Sequence, residues 1–122
     1  MSSGDEERVI VDLDDAASRY DADFLREMAA MLQASCDKHM AGVQVALQEQ
    51  NGRNLKLAAH SLRGDAGHFR AERVIYAARQ VEEAADVADF ERAKTLSTNL
   101  ISAVEELKTA LQCFLDDAEG QN

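Results

Sequence analysis

The sequence contains no proline and no tryptophan, only six glycines and two cysteines, and aromatic residues at 5% of its 122 positions. Without proline, nothing in the chain forces a break in a helix. Its wealth of Ala, Leu, Glu, Gln, Arg and Met, the residues that lose least on entering a helix, makes an all-α domain the expected class. Cys36 and Cys113 form no CxxC pair and no dense framework, and read as buried or free thiols in a reducing compartment. No apolar run approaches the roughly 18 to 20 residues that a membrane span requires. The opening Met1-Ser2-Ser3-Gly4-Asp5-Glu6-Glu7 lacks the basic-then-apolar order of a signal peptide, so the expectation is a cytoplasmic protein. Positive charge is scarce as well. A net charge of −10 argues against any sequence-independent grip on nucleic acid or an anionic membrane.

What the sequence does have is helical periodicity. From Asp21, which fits an N-cap, the apolar residues Phe24, Leu25, Met28, Met31, Leu32, Cys36, Met40, Val43 and Leu47 wind one stripe down a helix that Gly52 would stop. A second helix from near Arg53 would bury Leu55, Ala59, Leu62, Ala66 and Phe69. A third, from about Ala71 to Asp86, offers Val74, Ala77, Ala78 and Val81. In the fourth, capped by Asp89, the residues Phe90, Ala93, Ser97, Leu100, Val104, Leu107, Leu111 and Phe114 alternate strictly in steps of three and four. Joined by short connections, such stripes imply an antiparallel up-and-down four-helix bundle, with a short capping helix drawn from Val9 to Ser18. The expected layout is an acidic tail over 1–11, the bundle over 12–117, and a tail over 118–122, with fraying after Asp116. Four faces that satisfy one another predict a monomer; a homodimeric coiled coil is the competing arrangement.

The charge is unevenly spread. Residues 1–23 carry Asp5, Glu6, Glu7, Asp12, Asp14, Asp15, Asp21 and Asp23 against Arg8 and Arg19, whereas residues 51–70 carry Arg53, Lys56, Arg63 and Arg70 against Asp65 alone. On that basic helix, His60 lies about 140° from the mean direction of the apolar stripe, so it points outward. Arg53, Lys56, Arg63, Gly64 and Gly67 fall within roughly 60° of it. A helix-interior glycine costs roughly 0.5–1 kcal/mol relative to alanine, so two on one exposed face suggest room kept for an approaching surface. An exposed neutral imidazole is a competent nucleophile toward phosphorus, and a guanidinium one turn away would balance the resulting phosphoryl charge. By geometry alone, His60 is either such an acceptor or an ordinary surface histidine.

The stretch Ala59-His60-Ser61-Leu62-Arg63-Gly64-Asp65-Ala66-Gly67-His68-Phe69 resembles the active helix of histidine-containing phosphotransfer (HPt) domains, whose hallmark is a histidine, two residues, a lysine or arginine, then glycine. The likeness extends to Ala71 and to Val74, Ala78, Val81 and Glu82, and spans roughly residues 12–115. It implies His60 as phosphoacceptor, Arg63 as the group that stabilises the phosphoryl charge, and Gly64 as clearance beside the ring. Glu82 matches an acidic or amide residue near the histidine, with a surface salt bridge as the other reading. Arg63 stands for the commoner lysine, Asp65 for a small residue, and Arg70 for a glycine at the helix end. Arg70 would shift or strain that end, or add a cation to the docking face.

What the resemblance implies is passive carriage. A receiver domain phosphorylated on aspartate would dock over His60 and transfer its phosphoryl group to the imidazole, and a second receiver would remove it. The expected partners are response-regulator receiver domains and a hybrid sensor kinase. No cofactor is expected in this chain, Mg²⁺ belonging to the receiver, and His39 and His68 make no metal-ligand spacing. No phosphate loop, nucleophile elbow or kinase signature is present, so the protein is expected to be a carrier and not itself an enzyme. Docking residues expected around the histidine are Lys56, Gly67, Met40, Val43 and Gln44. The competing class is a helical adaptor that docks a response regulator without carrying phosphate. The initiating methionine and polar tail favour a freestanding shuttle.

Overall fold

The computed structural model describes residues 10–120, with side chains described as far as residue 117. Among the described residues there are five helices and no strand: α1 (Leu13–Arg19), α2 (Ala22–Glu49), α3 (Gly52–Gly67), α4 (Glu72–Asp86) and α5 (Phe90–Gly120). α3 packs on α2 and α4, and α5 packs on α4 and α2, so the four longer helices enclose one core. No described helix is long and apolar enough to cross a membrane.

Side-chain oxygens start four of the five helices. Asp12, Asp21, Asn51 and Asp89 accept from the backbone N–H groups of Asp15, Phe24, Asn54 and Arg92 at 2.9–3.1 Å. Each such cap satisfies a donor that the helix leaves free, and contributes about 1 kcal/mol. The expected core positions of α3 and α4 are all buried, as are Ala93, Ser97, Leu100, Val104, Leu107 and Leu111 of α5. α1 is held against the turn between α3 and α4. The Asp12 N–H donates to the Phe69 carbonyl at 2.8 Å, Arg19 Nη2 donates to the His68 carbonyl at 2.9 Å, and Ala16 is buried. Both thiols are free. Burial, reinforced by the charges of Asp65 and Asp37, pushes the Cys36 thiol up to about 12, whereas Cys113 is exposed.

Three expectations need correction. The α2 stripe is narrower than the sequence suggests, because Phe24 and Met31 stand out of the core at 46% and 70% exposure. Nor is Gly52 a stop. It opens α3, where an added Cβ would meet the Ala85 carbonyl at 3.2 Å, so close approach to the end of α4 explains the glycine. At the C-terminus, the expected bundle end at residue 117, with fraying after Asp116, is passed by α5, which is helical through Gly120; most of the expected 1–11 tail and residues 121–122 lie outside the described residues.

The true stops carry no glycine. α2, α3 and α4 end with Gln50, Arg70 and Ala88 at φ 52°, 48° and 54°, followed by N–H donations from Asn51 to Ala46, Ala71 to Ala66 and Asp89 to Ala84 at 2.9–3.0 Å. These are Schellman closures in which a residue with a Cβ occupies the left-handed position. Each costs roughly 1–2 kcal/mol relative to a residue free of that clash. Arg70 has its compensation in Asp12, Asp15 and Glu72, 3.6–3.9 Å from its guanidinium. Its charge is therefore directed at α1 and α4, and the strain expected at that helix end is present as a left-handed φ. Ala88 makes the cleanest test. Ala88→Gly is expected to stabilise the fold by about 0.5–1 kcal/mol in urea unfolding, after the glycine's larger unfolded-state entropy is subtracted.

Candidate functional site

α3 runs between α2 and α4 with its third side outward. That side carries His60, whose side chain is 65% exposed. The ring is far from isolated. Its Nδ1 lies 3.1 Å from Glu82 Oε1 on α4 and 3.0 Å from Arg63 Nη2 one turn along α3. Arg63 Nε in turn lies 3.0 Å from Glu82 Oε2, an ion pair without the alignment of a hydrogen bond, while its Nη2 donates to Oε1 at 3.5 Å. Glu82 is 7% exposed, so α4 presents a buried carboxylate to an exposed imidazole, with the guanidinium in contact with both.

Burial decides which Nδ1 contact is the hydrogen bond. Arg63 can only donate and an ionised Glu82 can only accept, so both bonds cannot form at once. Were Nδ1 unprotonated, its lone pair would face the buried Glu82 oxygen and leave that oxygen with only the long Arg63 contact. With Nδ1 protonated, the buried oxygen is satisfied and the more exposed guanidinium turns to water. The favoured tautomer thus places the proton on Nδ1 and the free lone pair on Nε2.

The basic character of α3 is largely neutralised by α4. Lys56 Nζ donates to Asp86 at 2.6 Å, a bond that raises the lysine above the ordinary ammonium range, and Arg63 is paired with Glu82. Asp65 points to α2 instead, accepting from Ser35 Oγ at 2.6 Å and lying 2.9 Å from His39 Nδ1, so it links α3 to α2 on the side away from α4.

Gly64 and Gly67 are both exposed, and a Cβ added at either would meet nothing within 4 Å. The fold does not require them. Gly64→Ala is therefore expected to raise the stability of the free chain by about 0.5–1 kcal/mol, read from its urea midpoint, because it improves an exposed helix interior. Any loss of partner binding in that variant then belongs to the interface.

The expected docking residues on α2 do not gather at this face. Val43 is fully buried and belongs to the core. Gln33 donates to the Lys108 carbonyl and to Gln112, and Asp37 pairs with Lys108, which fixes the α5 side of α2. Met40 and Gln44 lie seven residues beyond these two, so they share that side, away from α3. The flank of α2 that does adjoin α3 contains Phe24, Met31 and Val45, spaced by seven or its double and 46–70% exposed, and Leu57 joins them from α3 at 55%. Phe24 and Met31 line a groove of about 290 Å³ with Met28, Leu32 and His68. A second apolar stripe, offset from the core stripe on the same helix, was the available signal.

The model of the Hpt domain family matches residues 27–117. No curated protein and no solved structure matches the chain.

Proposed function

Because the chain belongs to the Hpt domain family, whose members are phosphocarrier modules of two-component signalling, we propose that His60 is its phosphoacceptor, taking a phosphoryl group from a receiver aspartate and passing it to another. The observation that carries this reading is a histidine side chain 65% exposed, with its Nδ1 3.1 Å from a buried carboxylate. Nε2 then carries the lone pair and faces the partner. Attack forms the N–P bond as the aspartyl O–P bond breaks, and the electron pair leaves with the aspartate oxygen. Catalysis comes mainly from the receiver, whose Mg²⁺ balances the phosphoryl oxygens; the carrier contributes orientation and the Arg63 guanidinium.

We read the architecture as an antiparallel up-and-down four-helix bundle with α1 as its cap, on the strength of the closed set of helix contacts and the short connections. The docking face comprises His60, Gly64, Gly67, Lys56 and Leu57, extended by Phe24, Met31 and Val45 of α2. Exposed apolar side chains beside a cleared polar centre fit a receiver surface of the same kind. We further infer a cytoplasmic monomer that takes phosphate from a hybrid sensor kinase and needs no cofactor of its own.

The test is incubation of the chain with a Mg²⁺-loaded, phosphorylated receiver domain, followed by intact mass before and after mild acid. A single acid-labile phosphoryl group on the chain supports the carrier. Receiver binding without any transfer supports the adaptor instead.

A further inference from the structure

We propose that Glu82 sets the lability of the phosphorylated carrier, by holding the proton on His60 Nδ1 after Nε2 has taken the phosphoryl group. The inference rests on His60 being the acceptor. When Nε2 attacks, Nδ1 keeps its proton and the ring becomes positively charged. Discharge then returns the N–P electron pair to Nε2, and the ring departs as neutral imidazole while the aspartate of a receiver, or water, bonds to phosphorus. Without the Nδ1 proton the ring would have to leave as imidazolate, a far poorer leaving group, or be reprotonated first.

The geometry favours retention of the proton. Glu82 Oε1 lies 3.1 Å from Nδ1, and the carboxylate is 7% exposed, so water is a poor substitute partner. The charged groups in contact with the ring are Arg63 from α3 and Glu82 from α4; Lys56 and Asp86, one turn away on the same two helices, are bonded to each other, and His39 of α2 is engaged with Asp65. Lys56 is tied to Asp86, and Arg63 also contacts Glu82, so the carboxylate is the acceptor at Nδ1. A glutamine carbonyl at the same place would accept the same bond without the charge. A charge-assisted bond is about twice as strong as a neutral one, which corresponds to roughly tenfold in proton retention.

Phosphoramidate supplies the phosphoryl group, its P–N bond breaking and ammonia leaving as the His60 N–P bond forms. With excess donor removed, loss of the phosphoryl group is followed by intact mass for the full chain and for Glu82→Gln. The native variant is expected to hold its phosphoryl group roughly tenfold longer at mildly alkaline pH, a difference that vanishes for both chains in concentrated urea. Wild type alone gives a second reading that depends on no variant: its native phosphohistidine should decay faster than the urea-unfolded one at that pH. Equal native lifetimes of the two chains, or a native wild type that outlasts its unfolded form, would overturn the inference while leaving the carrier intact. If neither chain takes up phosphate, the acceptor assignment fails and the inference with it.

Discussion

His60→Gln is expected to abolish phosphoryl uptake from a phosphorylated receiver while leaving the thermal midpoint within about 2 °C of wild type. Both halves follow from the position of the ring. Its side chain is 65% exposed and belongs to none of the core contacts, so its replacement opens no cavity. Arg63 contacts both Glu82 oxygens independently of the ring, so the buried carboxylate is not left without a partner. What disappears is the Nε2 lone pair proposed as the acceptor, and neither Arg63 nor the engaged His39 replaces it. Receiver binding should persist, since the apolar residues around the site remain. Residual uptake comparable to wild type would move the acceptor elsewhere.

Leu62→Ala is expected to cost about 2–5 kcal/mol in urea unfolding and to lower the midpoint by roughly 10 °C. Leu62 is fully buried on α3, the helix that packs on both α2 and α4, so neither neighbour can close the void without moving the other. The same displacement would shift His60 relative to Glu82, because the two stand on different helices whose spacing is set by this packing. Phosphoryl uptake should therefore fall with the folded fraction as temperature rises. A loss below about 1 kcal/mol would show that α3 is not set into the core as its burial implies.

Local rules decide which parts of this arrangement can be read from the residues alone. The α3 and α5 stripes obey helical spacing with one apolar residue per step, and their burial follows directly. The outward direction of His60, its proximity to Arg63 and the open space at Gly64 are properties of a single helix, so they too were legible. Contacts between helices were not. The pairing of Lys56 with Asp86 depends on how α3 and α4 meet, and it converts an apparent basic patch into a largely neutral seam. Asp65 gained its role from Ser35 and His39 on α2 in the same way. On α2, two apolar stripes share one helix, and only the neighbours distinguish the core stripe from the exposed Phe24, Met31 and Val45. The helix ends were misleading because Gln50, Arg70 and Ala88 occupy the position where a glycine normally announces the stop.

The most direct test of the central claim is phosphorus and nitrogen NMR of the chain after transfer from a phosphorylated receiver. The account predicts one N–P species, with the phosphoryl group on Nε2 of His60 and the proton on Nδ1. A phosphoryl group on Nδ1, on His39 or His68, or on a hydroxyl or carboxylate oxygen would contradict it.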